Sequence, residues 1–288
     1  MGSSPAAVAS LPRLTAVATL LVLLVGQQQQ QQASGLSTYR QLRAVVDRLN
    51  ERHGPFLAMV MAYSVEADAL QTSGEFVANA AVPFVDMFGR RFHVGTIRRV
   101  SVVTVMSGQR RLNAGITVQI LMDYFDLGGI VHYGTAGSAD DSLSFGAVSV
   151  PKYVAFTGSW NWKRFNSIGV DDFPELSVGY YNTPKRGENL LGRIEFKPEE
   201  FFPVGGSLEE VFWLEPFSAW YQLAQKLEDV VLDYCVNSTY CLPSRPKVVL
   251  GLRGATADIF LGNAAYRRFL HNEFNVSTVD EESAAIVM

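Results

Sequence analysis

Short runs of apolar residues alternate along the chain with segments whose apolar residues recur at helical spacing. The apolar runs predict strands over 56–62, 92–97, 100–106, 130–133, 147–153, 247–252 and 276–279. Helical spacing predicts helices over 37–53, 110–125, 211–234 and 264–271, and Ser64 is the predicted N-cap of one more. Strands that alternate with amphipathic helices are typical of an α/β fold, and no composition break or repeat divides residues 36–288.

The apolar run from Ile130 to Tyr133 is the predicted central strand of the sheet. It is rich in β-forming residues and bounded by glycines, a pattern typical of a strand that is buried on both faces. Residues 134–138, Gly-Thr-Ala-Gly-Ser, follow it with small side chains that let the backbone approach a ligand. Ligands of open α/β sheets bind beyond the carboxyl ends of strands, so this turn is a candidate site. A plain tight turn gives the same pattern.

The first 35 residues are predicted to lie outside the folded domain. Arg13 precedes an apolar run over 14–25 that is too short to span a bilayer and suits the core of a secretory signal peptide. Glutamines at 27–32 follow and predict a disordered spacer. Signal cleavage fits either Ala33-Ser34-Gly35 or a point near Gly26, and the alternative is a buried N-terminal segment.

The two cysteines of the chain, Cys235 and Cys241, could close a small disulfide loop in an oxidising compartment. Sequons for N-glycosylation begin at Asn237, inside this loop, and at Asn275. Together with the apolar leader, these features predict entry into the secretory pathway, with an extracellular or vacuolar destination. The histidines, at 53, 93, 132 and 271, lack metal-ligand spacing, so no metal site is predicted.

The composition limits the classes of partner. The chain is 48% hydrophobic and 18% charged, which is ordinary for a globular protein with a sizeable core. Its formal net charge is -4, and the sequence contains no basic cluster. Nucleic acid is therefore not expected as the main partner. No stable membrane span is expected either.

Four short segments occur in a fixed order along the chain. They are Ala62-x-x-x-Glu66, Ser107-Gly108, Gly134-Thr135-Ala136-Gly137 and Val279-Asp280-Glu281-Glu282-Ser283-Ala284. In this order they resemble the nucleoside phosphorylase and nucleosidase superfamily, especially its methylthioadenosine/S-adenosylhomocysteine nucleosidases. The segments at 110–117 and 131–138 make the chain most similar to the plant bark storage and wound-inducible vegetative storage proteins of that superfamily. The resemblance covers about residues 56–288 and implies a three-layer sandwich with a central mixed β-sheet flanked by helices.

The resemblance also implies a reaction, the cleavage of the N-glycosidic bond of a purine nucleoside. Water or phosphate would be the nucleophile, no cofactor would be needed, and a homo-oligomer is expected because family members commonly assemble. The transition state places positive charge on the ribose, so the site needs a base, groups that hold the sugar, and an acid at the purine.

Residue by residue, the resemblance assigns roles to six positions. Glu66 matches the catalytic, water-activating carboxylate, and Glu282 matches the glutamate that binds ribose hydroxyls. The other substrate-binding positions are Ser107, Thr135 and Gly137 in the two turns, and Phe260, which matches an aromatic residue that stacks on the base. Each residue also has an ordinary structural explanation: a helix N-terminus for Glu66, a solvated pair for Glu282 and a core position for Phe260.

Three features depart from the family pattern. Gln109 and Arg110 follow the Ser-Gly turn, which in nucleosidases usually continues with another glycine, and Glu281 replaces the methionine before the ribose-binding glutamate. The family's purine-protonating aspartate lies on a later strand, and the sequence ends at Met288, so we expect a domain without its C-terminal strand and helix. These departures leave open a non-catalytic storage glycoprotein that keeps the fold, or a protein that binds a nucleoside without cleaving it.

Overall fold

The computed structural model describes residues 39–162, 175–177, 193–235 and 237–288. The predicted leader over 1–35 and parts of the region from 163 to 192 lie outside the described residues. The strands, in chain order, are β1 Phe56–Met61, β2 Phe76–Ala78, β3 Phe84–Met87, β4 Arg90–Ile97, β5 Val100–Met106, β6 Leu127–His132, β7 Gly137–Ser138, β8 Val148–Phe156, β9 Trp160–Trp162, β10 Glu175–Ser177, β11 Arg193–Phe196, β12 Glu199–Phe201, β13 Glu209–Val211, β14 Val248–Thr256 and β15 Thr278–Asp280. The helices are α1 over 39–53, α2 Ser64–Ser73, α3 Arg111–Tyr124, α4 Ser218–Ala224, α5 Ala264–Phe274 and α6 Ser283–Val287, with a 3₁₀ turn at Gln225–Leu227.

Two sheets carry most of the strands. In the first, the order is β2-β4-β5-β1-β6, and β3 pairs with β4. Strand β1 runs parallel to β5 and to β6, whereas the pairs that β4 makes are antiparallel. In the second, the order is β7-β15-β14-β8, and β14 runs parallel to both β8 and β15. The predicted α/β class, a mixed sheet flanked by helices, is confirmed.

Helices α1 and α3 cover one face of the first sheet. Phe56, Ala58 and Val60 alternate along β1 and therefore point to the same face, where they join a buried cluster with Val46 of α1 and Leu121 of α3. A second cluster lies under β14 and α5 and is rich in stacked aromatic rings. These two cores hold the parallel strands of the two sheets. Because β5 and β6 are parallel neighbours of β1, the carboxyl ends of these three strands lie together at one edge of the first sheet.

The predicted helix over 211–234 is wrong. Strand β13 ends at Val211, and within the described residues of this stretch only α4 and the 3₁₀ turn are helical. Pro216 lacks an amide hydrogen and disfavours helical backbone at Glu215, which prevents a helix from running through. Phe212 packs instead against Phe274 of α5, with ring centroids 5.3 Å apart.

Two smaller predictions also need correction. Ser64 is the first residue of α2 rather than its N-cap, and Tyr63 precedes the helix. Strand β6, the predicted central strand, is instead the last strand in the order of the first sheet, and it is half-buried over most of its length rather than fully buried. Its partial cover comes from α4, because Trp220 lies directly over Gly129: a Cβ built on Gly129 would sit 2.1 Å from Cη2 of the indole.

The predicted disulfide between Cys235 and Cys241 is confirmed. Inside its loop, the exposed Asn237 accepts hydrogen bonds through Oδ1 from the amide and the hydroxyl of Thr239 and from the amide of Tyr240. The second sequon is placed differently: Asn275 is the exposed C-cap of α5, but the next two residues are buried. Of the helices in the described ranges, none has the length and apolar character needed to cross a membrane.

We expect the substitution Gly129→Ala to destabilise the fold by about 1–3 kcal/mol, because the added methyl group would displace the Trp220 ring. Gly115→Ala in α3 is the matched control, since no atom lies within 4 Å of the Cβ it would add. That substitution should stabilise the protein by about 0.5–1 kcal/mol. Urea unfolding of the three proteins measures both effects, and equal stabilities for the Gly129 and Gly115 variants would contradict the packing described above.

Candidate active site

Backbone hydrogen bonds join the carboxyl ends of three parallel strands. After β5, the amide of Ser107 donates to the carbonyl of Met61 at 2.8 Å, and the amide of Gly108 donates to that of Ala62 at 3.1 Å. After β6, the amide of Tyr133 donates to the carbonyl of Val60 at 3.1 Å. The turns after β5 and β6 are therefore fixed on either side of the turn after β1, as expected for an α/β site.

Glu66 occupies the centre of this junction. Its side chain is buried, and Oε2 accepts from the amide of Ala62 at 2.7 Å. Oε1 accepts from both the amide and the hydroxyl of Thr135, at 2.7 and 3.0 Å. Close approach requires glycine at the preceding position, because a Cβ on Gly134 would lie 2.5 Å from Oε1. In the described part of the chain, no basic side chain forms an ion pair with Glu66.

Two tyrosines support the same turn. The hydroxyl of Tyr63 is 3.0 Å from Oγ1 of Thr135, and the hydroxyl of Tyr133 donates to the main-chain carbonyl of Glu66 at 3.1 Å. Burial raises the pKa of Tyr133, and the negative charge of Glu66 raises it further. Tyr133 therefore remains a neutral hydrogen-bond donor around neutral pH.

Glu282 approaches the site from the second sheet. Only 6% of its surface is exposed, and Oε1 accepts from the amide of Arg110 at 2.7 Å. Burial raises the pKa of Glu282, with smaller increases from the nearby charges of Asp280 and Glu281. The Arg110 amide and the ring of His132 at the end of β6 act in the opposite direction.

Asp280, at the end of β15, holds the segment that carries Glu282. Its Oδ1 accepts from the hydroxyl of Thr256 at 2.6 Å and from the amides of Glu282 and Ser283 at 3.2 and 3.1 Å. Its Oδ2 accepts from the hydroxyl of Ser283. One carboxylate therefore accepts from two amides at the start of α6 and fixes this segment to the end of β14.

Two of the three departures from the family pattern, Arg110 and Glu281, contact each other. The guanidinium of Arg110 lies 3.5 Å from the carboxylate of Glu281. Arg110 also has φ 79° and ψ 159°, a backbone conformation that is almost restricted to glycine and costs roughly 1–3 kcal/mol for other residues. Arg110 is therefore strained, and it is held by Glu282 at its amide and by Glu281 at its side chain.

The structure connects four of the predicted site residues and leaves two apart. Glu66 and Thr135 are in direct contact, Ser107 is bonded to the β1 end beside them, and the loop after Ser107 reaches Glu282 through Arg110. Gly137 lies in β7 against Val279, where a Cβ would meet the valine side chain at 2.9 Å. Phe260 is 91% exposed, and no hydrogen bond or ring contact links it to the others among the described residues.

Sequence reasoning did not assign a role to several residues that shape the site. They are Tyr63, His132, Tyr133 and Asp280. Each lies within four positions of a motif residue. Its position next to a strand end is therefore the sequence feature that could have indicated a role in the site. Among the described residues, no three His, Cys, Asp or Glu side chains are grouped in a way that could hold a metal ion.

The known proteins that this chain resembles belong to one superfamily or share its fold. The model of the Phosphorylase superfamily matches residues 57–288. Bark storage proteins A and B of Populus deltoides are each 39% identical over 234 residues, which is 81% of this chain and 73% of theirs. A 5'-methylthioadenosine/S-adenosylhomocysteine nucleosidase of Halalkalibacterium halodurans is 24% identical over 196 residues, covering 68% of this chain and 63% of the relative.

Solved structures share the fold. A mutant of the Helicobacter pylori nucleosidase, with 5'-methylthioadenosine in its active site, aligns with a TM-score of 0.52 at 17% identity over 81% of this chain and 78% of its own. The Streptococcus pneumoniae MTA/SAH nucleosidase in complex with 8-aminoadenine aligns with a TM-score of 0.52 at 18% identity, over 81% of this chain and 77% of its own.

The raised pKa of Glu282 predicts how its removal affects stability at different pH values. A carboxyl group whose pKa is raised in the folded state stabilises the fold below its ordinary value of 4.5, and this contribution is lost as the pH rises through the folded value. Glu282→Gln keeps an oxygen for the Arg110 amide and cannot ionise. We therefore expect its melting temperature, relative to wild type, to be higher at about pH 8 than at about pH 4. A difference that stays constant across this range would contradict the assignment.

Proposed function

This chain belongs to the phosphorylase superfamily, and we propose that it binds a purine nucleoside and cleaves its N-glycosidic bond at the site around Glu66, Thr135 and Glu282. The observation that supports this proposal is the buried carboxylate of Glu66. Hydroxyl and amide donors contact it, whereas no cation does so among the described residues. Burial of a carboxyl group is costly unless hydrogen bonds compensate for the lost water, so a buried carboxyl group that no cation contacts is uncommon in a protein core.

The acceptor capacity of the two carboxylates suits this role. An ionised carboxylate has about four acceptor positions. Three donors contact Glu66, which leaves about one position for a water molecule or a phosphate hydroxyl. One amide contacts Glu282, so about three positions remain for the hydroxyl groups of a ribose.

In the proposed reaction, Glu66 removes a proton from the attacking water as the oxygen bonds to the anomeric carbon of the ribose. The bond to the base breaks, and the base leaves with the bonding electrons and takes up a proton from solvent. Glu282 accepts hydrogen bonds from the ribose hydroxyls, which places a negative charge near the positive charge that develops on the sugar. Phosphate is the alternative nucleophile, and Phe260 is the proposed aromatic neighbour of the base.

We expect the purified protein to release free base from methylthioadenosine, adenosine or inosine, measured by chromatography with and without phosphate. Glu66→Gln should lower the rate by about 10²–10⁴-fold, because it removes the base and keeps the size of the side chain. Glu51→Gln, an exposed change in α1, is the matched control and should leave the rate unchanged. No release of base from any of the three substrates by the wild-type protein would contradict the catalytic proposal.

A second candidate function is that of a storage glycoprotein that keeps the fold without catalysis. It is favoured by the 39% identity to two bark storage proteins and by the engagement of Glu282 with the Arg110 amide. A nucleoside that raises the melting temperature without forming product would indicate binding alone. Neither binding nor product would favour storage.

We also propose delivery through the secretory pathway to the cell exterior or the vacuole. The disulfide and the exposed sequon in its loop support this proposal. When the chain is expressed in a plant secretory system, a glycosidase that removes N-glycans should shift its migration on a gel. Asn237→Gln should abolish most of that shift, and Asn275→Gln, whose sequon is partly buried, serves as the comparison. A chain that shows no shift and stays in the cytosolic fraction would overturn the proposal.

A further inference from the structure

A cavity of about 100 Å³ lies between α1 and the loop that follows β2. Three basic side chains of α1 line one side of it: Arg48, Arg52 and His53. The remaining walls are largely apolar, with Val45 and Leu49 from the helix and Val82 from the loop. None of the residues of the candidate active site lines this cavity, so it requires a separate explanation.

The two arginines lie next to apolar residues on one side of α1. Val45, Arg48, Leu49 and Arg52 follow one another at spacings of three, one and three residues, which places them on one side of the helix. Leu49 is 4% exposed and belongs to the core under the first sheet. The arginines therefore border the packed side of α1 while remaining exposed themselves, and Arg40 is exposed on the opposite side.

The positive charge at the cavity is not neutralised within the described part of the chain. Arg43 on the same helix pairs with Asp47 at 3.1 Å, but neither Arg48 nor Arg52 has an acidic partner among these residues. Two like charges four positions apart on a helix repel each other. A bound anion would remove this repulsion and accept hydrogen bonds from both guanidinium groups.

Asn79 fixes the orientation of the third basic residue. Oδ1 of Asn79 accepts from the amides of Ala81 and Val82, both at 3.0 Å, so its amide nitrogen is directed to His53. That nitrogen lies 3.2 Å from Nε2 of His53 and donates to it, which places the ring proton on Nδ1. The ring is therefore held at the edge of the cavity by the loop.

We propose that this cavity binds a small organic carboxylate, with the charged group on Arg48 and Arg52 and the apolar body against Val45, Leu49 and Val82. Planar guanidinium groups match a carboxylate in geometry. A fully hydrated inorganic anion would leave the apolar walls without a partner, whereas an apolar group attached to the carboxylate covers them. The proposed ligand is thus amphipathic, and benzoate is a simple representative.

Calorimetric titration of the full chain with benzoate tests this proposal, with benzamide as the uncharged analogue and inorganic phosphate as the polar anion. Benzoate should bind, and the other two should bind at least about tenfold more weakly. The double variant Arg48→Gln/Arg52→Gln should weaken benzoate binding by about tenfold or more, because it removes both charge-assisted contacts. Arg40→Gln is the control for the loss of one exposed arginine elsewhere on α1 and should bind as the wild type does.

Three results would overturn the proposal. One is the absence of benzoate binding, a second is equal binding of phosphate and benzoate, and a third is an equal loss of affinity in the Arg40 variant. If the double variant melts at a markedly lower temperature, Arg48→Gln and Arg52→Gln are tested singly. The proposal would then be overturned if neither single substitution weakened benzoate binding. Nucleosidase activity is not part of any readout, so this test is independent of the proposed function.

Discussion

The hydrogen bonds to the buried carboxylate of Glu66 determine how this edge of the molecule is built. A buried carboxylate is tolerated only when donors surround it, and here the donors come from two separate chain segments, the turn after β1 and the turn after β6. Because one side chain needs both, the two turns must lie within hydrogen-bonding distance of it. Gly134 permits that approach, and Thr135 supplies two of the three donors.

The second acidic side chain, Glu282, follows the same rule with a different partner. Its donor is the amide of Arg110, so the loop after β5 is joined to the segment after β15 across the two sheets. Arg110 adopts a glycine-like backbone conformation, and the bond to Glu282 offsets part of the strain. The ion pair with Glu281 shows why two departures from the family pattern occur together: the added acid neutralises the added base. A site in which carboxylates bind backbone amides needs few ionic contacts.

The sequence was sufficient for the fold class and for most strands of the two sheets, and the family resemblance assigned Glu66 and Thr135 to one site. Apolar runs and strand-end glycines are local signals, so strands such as β1 and β5 could be predicted within one or two residues. The failed helix over 211–234 shows the limit of such signals. There the apolar residues serve tertiary packing, Phe212 against α5 and Trp220 over β6, and periodicity alone does not reveal this. The roles of Asp280 and Arg110 depend on contacts between distant segments, which no local pattern encodes.

The disulfide-closed loop changes what a single cut in the backbone does to this molecule. Asn237 and Tyr240 are exposed within it, and exposed loops of small and polar residues are preferred targets of proteases. A cleavage between Cys235 and Cys241 leaves the pieces before and after it covalently joined through sulfur. The nicked protein would keep its mass, apart from one added water, and would separate into two fragments only after reduction. An intact band on a non-reducing gel is therefore no proof of a continuous chain.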